Sequence, residues 1–177
     1  DHIEPDGIVT RDGTKRCVDA LLLATGFDVW KPDRFHSIVG VGGVELREYW
    51  HQAGFQSYEG ITIPGFPNLF YLPGPYSYAG VSYFFTMESQ AQHIARVVSE
   101  MRRRGARSVE ASRAATASFV ERMRARFAGT VFDRGRCSSA NSFYFDSLGQ
   151  PSLVRPETVH AVRAAQFSFP LNDYHFA

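Results

Sequence analysis

The chain has 177 residues, 44% of them hydrophobic and 14% aromatic, with a formal net charge of +1 at pH 7. This suits one globular domain with an ample core and excludes a disordered or fibrous chain. No run of about 18 apolar residues occurs, and Asp1-His2-Ile3-Glu4-Pro5-Asp6 lacks the basic-then-apolar layout of a signal peptide, so a cytoplasmic protein without a membrane span is expected.

Ile8-Val9-Thr10 and Lys15-Arg16-Cys17-Val18 flank Arg11-Asp12-Gly13-Thr14, and the Asp-Gly pair, which tolerates positive φ, predicts a hairpin. In the next stretch, Asp19-Ala20-Leu21-Leu22-Leu23-Ala24-Thr25-Gly26-Phe27, residues Ala20 to Ala24 have no polar face. That predicts a strand covered on both sides in a parallel sheet. Its small-residue end suits either an ordinary glycine turn or the close approach of a cofactor. Pro32, Gly40, Gly42, Gly43, Gly54, Gly60, Pro64 and Pro67 then follow too closely for long elements. They predict a loop-rich surface excursion with one short apolar segment near Val44–Trp50.

A second buried strand is expected at Leu69–Leu72, ended by Pro73-Gly74-Pro75 because proline cannot donate a ladder hydrogen bond. From Gly80 to Arg104 the steps between Phe84, Met87, Ala91, Ile94, Val98 and Met101 predict a helix that buries this stripe, with Gly105 ending it. Ser108 or Ser112 then caps a second helix carrying Phe119, Val120, Met123 and Phe127, up to Gly129. The tail from Val131 is aromatic-rich, with strand-like runs at Ser142–Phe145 and Phe167–Phe169. The fold class expected is α/β, or α+β as a fragment.

Chemistry is expected where a strand end, two glycines and a helix start meet, in Pro73-Gly74-Pro75-Tyr76-Ser77-Tyr78-Ala79-Gly80-Val81. The first turn of a helix leaves backbone N–H groups free to hold negative charge, although a plain strand-to-helix turn has the same sequence. The eleven arginines between residues 96 and 136 are not interleaved with stacking aromatics, so a solvated or internally paired helix face is expected and no nucleic-acid surface. His2, His36, His51, His93, His160 and His175 show no metal or nucleophile spacing, and Cys17 and Cys137 read as reduced structural thiols. No metal site is expected.

Three ordered segments resemble the flavin-containing and Baeyer-Villiger monooxygenases. They are Asp19 to Phe27, similar to the family's Ala-Thr-Gly segment; Gly65-Phe66-Pro67-Asn68-Leu69-Phe70-Tyr71-Leu72-Pro73-Gly74-Pro75; and Cys137 to Asp146 followed by Gly149, Pro151, Arg155-Pro156 and Asp173-Tyr174. The resemblance implies an FAD-binding Rossmann-like portion over 1–105 and a helical and irregular extension over 106–177. It implies that Thr25, Gly26, Gly74, Ala79, Gly80 and Val81 lie near the flavin ring. Tyr76, Tyr78 and Tyr83, with Phe84 and Phe85, can form a substrate wall beside it, since aromatic walls exclude water. For Phe84, burial in the core is the expectation.

The implied cofactors are FAD and NADPH, and the implied reaction puts one oxygen atom of O2 into a ketone, amine or sulfide. Val39-Gly40-Val41-Gly42-Gly43-Val44-Glu45 does not have the G-x-G-x-x-G spacing of a pyrophosphate cradle. A chain that starts at Asp1 without such a cradle is therefore expected to be the C-terminal part of a longer enzyme, inactive alone and prone to self-association. In the tail, the family's frequent Ser-Trp-Tyr becomes Asn141-Ser142-Phe143-Tyr144. A flavin disulfide reductase or amine oxidase relative and a non-catalytic binding or scaffold domain are the alternatives.

Overall fold

The computed structural model describes residues 1–26, 37–80, 82–134, 142–146 and 148–177. A three-stranded antiparallel sheet opens the chain, in the order β1 (His2–Glu4), β2 (Gly7–Val9) and β3 (Lys15–Cys17). The expected hairpin is its β2–β3 half. Gly13 takes φ +81°, and Asp12 Oδ1 accepts the Thr14 N–H at 3.0 Å, an Asx-type turn that closes the loop.

Two expected strands do not form. Residues 18–26 are exposed coil, with Leu21, Leu22 and Leu23 at 45%, 87% and 75% exposure. An extended apolar run becomes a strand only against a ladder partner, and no described residue pairs with it. Leu69–Leu72 makes a single bridge, Thr62 to Phe70, plus the Tyr71 N–H to Ile61 carbonyl bond at 2.8 Å. The described residues thus hold two small antiparallel sheets and helices, with no parallel sheet.

The loop-rich stretch is core, not a surface excursion. Within it lies α1 (Leu46–Ala53), where Leu46 and Trp50, one turn apart, are buried with Phe55, Ile63, Phe66 and Leu153. Trp50 Nε1 donates to the Gln56 carbonyl at 2.9 Å, so the indole is buried without an orphan donor. Close turns here let aromatic side chains converge that no long element would bring together.

Helix α2 spans Tyr83–Arg103, and Gly105 takes φ +68° just beyond it. Its inward face is not the apolar stripe. Thr86, Ser89, Gln90, His93 and Val97 are buried, whereas Phe84 is 81% exposed and Ala91 is exposed. The inward polar groups find partners: Gln90 Nε2 donates to the Gly60 carbonyl at 2.9 Å, and His93 Nε2 lies 2.9 Å from the Tyr174 hydroxyl. Satisfied polar groups can occupy a core face that periodicity assigns to hydrocarbons.

Strand β4 (Val109–Ala111) pairs antiparallel with β5 (Tyr174–Phe176). Asn68 covers the other edge of β4: its N–H donates to the Val109 carbonyl at 2.9 Å, and its Oδ1 accepts the Val109 N–H at 3.0 Å. Ser112 caps α3 (Arg113–Phe127) by accepting the Ala115 N–H at 3.1 Å, and Phe119, Val120, Met123 and Phe127 are buried as the sequence predicts.

The tail departs from expectation. Ser142–Phe145 is turn rather than strand, and Phe167–Phe169 closes a helix, α5 (Val159–Ser168), which follows a short α4 (Val131–Arg134). Tyr58, Tyr76, Val97, Val109, Ala111, Val154 and Tyr174 join the α3 residues in the larger core cluster, which draws on both sides of residue 105. Part of the basic run is paired internally, with Glu100 held by Arg103 and Arg104, and Glu157 by Arg126.

Candidate functional site

A cleft of about 540 Å³ opens beside the start of α2. Its lining comes from Tyr78, Ala79 and Gly80, from Thr130, Val131 and Phe132 around α4, from Tyr144, and from the segment Val154 to Thr158. The walls are largely apolar and aromatic, with Phe132 and Tyr144 in edge contact at 5.5 Å. Of the expected site residues, Tyr78, Ala79 and Gly80 line it; the α4 and 154–158 walls were not expected from the sequence. Thr158, a helix cap before Val159 and Val162, was the signal for the second of these: it accepts the Ala161 N–H at 3.3 Å.

The 76–80 turn runs alongside residues 152–155. Tyr78 and Val154 form a parallel bridge, and the Arg155 N–H donates to the Tyr78 carbonyl at 2.7 Å. Gly80 takes φ +74°, and a Cβ there would meet nothing within 4 Å, so its backbone faces open space. Ser82 stands at the N-cap of α2, and its side chain makes no capping bond. Its first-turn amides therefore lack the usual side-chain acceptor.

The other expected positions fall elsewhere. Gly74 is a packing glycine: its N–H donates to the Gly60 carbonyl at 2.9 Å, and a Cβ would sit 2.5 Å from that oxygen. Thr25 and Gly26 lie in the exposed coil, outside the cleft lining. Tyr76, at φ +58°, is fully buried against Phe119 and Phe127 and belongs to the core rather than a substrate wall. Tyr83 stacks on Tyr78 at 5.1 Å, and partial burial, with Tyr78 and Tyr144 nearby, raises its phenol above the usual range. Val81, together with Phe27, His36 and Cys137 to Asn141, lies outside the described residues. Phe84 points to solvent, so its expected core role is corrected as well.

Beneath the cleft runs a chain of ion pairs. Arg155, 3% exposed, has Nε 2.6 Å from Glu157 Oε2, and its Nη1 stands 2.6 Å from Glu59 Oε2 in an ion pair that falls short of hydrogen-bond geometry. The guanidinium also lies over the Phe119 ring at 5.1 Å. Burial raises the Glu59 carboxyl above the ordinary range, while Arg155 pulls it back. Among the described residues no cluster of His, Cys, Asp and Glu is arranged to hold a metal, and no helix is long and apolar enough to cross a membrane.

The fold is one found in monooxygenases of known structure. No family model matches the chain. It is 35% identical over 154 residues to an uncharacterized monooxygenase of Mycobacterium tuberculosis, covering 86% of this chain and 30% of that protein. It is 30% identical over 175 residues to a Baeyer-Villiger monooxygenase of Pseudomonas aeruginosa, covering 98% of this chain and 32% of that one. In structure it is similar to OTEMO in complex with FAD and NADP, with a TM-score of 0.74 and 27% identity over 99% of this chain and 32% of the other. It is similar also to an oxidized steroid monooxygenase bound to NADP, at 0.66 and 27% over 78% and 26%. The chain is a relative of the Baeyer-Villiger monooxygenases and spans about a third of the length of those it matches.

Proposed function

We propose that the chain is the C-terminal part of an FAD- and NADPH-dependent monooxygenase that inserts one oxygen atom of O2 into a ketone, amine or sulfide, and that the cleft beside Tyr78, Ala79 and Gly80 is where flavin and substrate meet. One observation carries this: two of the backbone positions expected at the flavin, Ala79 and Gly80, line an apolar cleft directly before a helix whose first turn lacks a side-chain cap. Open space over Gly80 fits a flat ring laid against bare backbone. FAD, when bound, supplies the oxygen chemistry, and NADPH supplies the electrons.

The chain's own residues then have limited tasks. The α2 amides favour negative charge at the near edge of the ring. Tyr78, Tyr83, Phe132 and Tyr144 keep water from the reacting centre. Gly74 shapes the turn from inside. Thr25 and Gly26 approach the flavin on a strand that completes a sheet contributed by the rest of the enzyme. Alone, the 177 residues do not hold FAD tightly, because the pyrophosphate cradle lies elsewhere.

The test uses the full-length polypeptide that carries this segment. Loaded with FAD, it should oxidise NADPH faster when cyclohexanone, a thioether or a tertiary amine is added, and mass spectrometry should find one added oxygen in the product. Gly80→Val should lower kcat by about tenfold or more with flavin still bound. A flavin-loaded enzyme that oxygenates none of the three classes overturns the reading, as does a stoichiometric flavin absorption band on the isolated 177 residues for the claim about the fragment.

A further inference from the structure

The turn leading into the rim at Tyr78–Gly80 belongs to neither sheet of the described residues, yet it is tied at two points. At its start, the Gly74 N–H donates to the Gly60 carbonyl at 2.9 Å. At its end, the Tyr76 and Tyr78 N–H groups donate to the carbonyls of Ser152 and Leu153, at 2.6 and 3.2 Å, and the Arg155 N–H donates to the Tyr78 carbonyl at 2.7 Å. The bracing segment 152–155 is itself fastened at its front by Asp146, whose Oδ2 accepts Ser152 Oγ–H at 2.5 Å. What joins the two ties is the side chain of Arg155. Its guanidinium pairs with Glu59, the residue immediately before Gly60, and with Glu157, which Arg126 of α3 holds at 2.8 Å.

We propose that Arg155 is a positioning residue that fixes where the Tyr78–Gly80 rim stands, by locking the 152–155 brace to the Glu59-Gly60 loop. This rests on the reading of the cleft as a ligand site. The guanidinium meets two carboxylates at once, hydrogen-bonding Glu157 through Nε and standing in an ion pair with Glu59 through Nη1, and a lysine ammonium, with a single nitrogen, cannot reach both in this way. A rim held by main-chain bonds to a brace moves with that brace. Because a displacement of about 1 Å is enough to spoil a site, loss of the fork is felt in the cleft before it is felt in the fold.

The experiment compares wild-type chain with Arg155→Lys by two-dimensional 1H–15N spectra and by titration with toluene, a small neutral probe of apolar clefts. Expected are displaced Tyr78, Ala79 and Gly80 amide resonances, unmoved Val109 and Ala111 resonances on the remote β4–β5 pair, and toluene binding weakened about tenfold. Rim resonances that stay in place in a folded variant overturn the proposal, as does a displaced rim with unchanged toluene affinity. If Arg155→Lys does not fold, Glu157→Gln takes its place; it leaves the Glu59 pair intact and should move the same three resonances less, and no movement overturns the proposal. If the wild-type chain binds no toluene, the cleft reading fails separately, and the rim resonances alone decide the role of Arg155.

Discussion

His93 and Tyr174 meet in the core across 81 residues of chain, with the imidazole Nε2 2.9 Å from the phenolic oxygen. The Phe169 ring covers the imidazole at 4.7 Å, and Arg96 stands at its other nitrogen, Nη1 to Nδ1 3.5 Å. Burial, then the Arg96 charge, lowers its pKa to about 4. The neutral form is therefore the folded form, and between the ordinary value of about 6.5 and about 4 the unfolded chain binds more protons. Stability is complete above that window and falls as pH drops through it, by about 3 kcal/mol in all. Urea unfolding between pH 7.5 and 4 measures it; His93→Gln should flatten the slope, and an unchanged slope would show that other groups carry it.

Glu59 and Arg155 predict a contrast between buried and surface charge. Glu59→Ala leaves the guanidinium inside with one carboxylate fewer and should cost about 3–5 kcal/mol. Glu100→Ala, which removes the carboxylate held by the solvent-facing Arg103 and Arg104 at the end of α2, should change stability little. Denaturant midpoints of the two variants, compared at constant m, decide the matter. Similar losses would mean that the Glu59 pair is no more coupled to the fold than a surface pair.

Two glycines in one turn should respond differently to alanine. At Gly74 the new Cβ would press 2.5 Å from the Gly60 carbonyl oxygen, backbone that has no room to retreat, and the cost should reach about 1–3 kcal/mol. At Gly80 space is open and only the positive φ opposes the change, at about 1 kcal/mol. Gly80→Ala proving the more damaging in thermal unfolding would mean that Gly80, and not Gly74, is the packed position.

Leu22 presents most of its side chain to water between two other exposed leucines, in the segment that follows β3, an edge strand of the sheet among the described residues. An exposed apolar run that follows an edge strand invites pairing with another copy. The isolated chain should self-associate as concentration rises, and Leu22→Lys should shift it toward monomer. Light scattering that finds the same monomeric mass for both at all concentrations would refute this.

Local chemistry made some elements legible. The Asp-Gly pair specified the hairpin because its turn is closed by neighbours in sequence, and Ser112 with Phe119, Val120, Met123 and Phe127 specified α3 because cap and stripe lie within one helix. Of the candidate cleft, Tyr78, Ala79 and Gly80 were in view from the sequence because they occupy a single turn. The walls from Phe132, Tyr144 and Val154–Thr158 were not, since they arrive from 50 and more residues further along the chain.

The amino-acid order alone determined where α3 begins and ends and where α2 stops, for those are contests between adjacent groups; α5, expected as a strand-like run at Phe167–Phe169, was not settled by it. Tertiary contacts decided which side of α2 faces inward and whether Leu21–Leu23 forms a strand. A helix face is buried by whatever partner meets it, and Gln90 and His93 find theirs at Gly60 and Tyr174, far away in sequence. A strand exists only when another supplies its hydrogen bonds, and leucines 21 to 23 have none among the described residues.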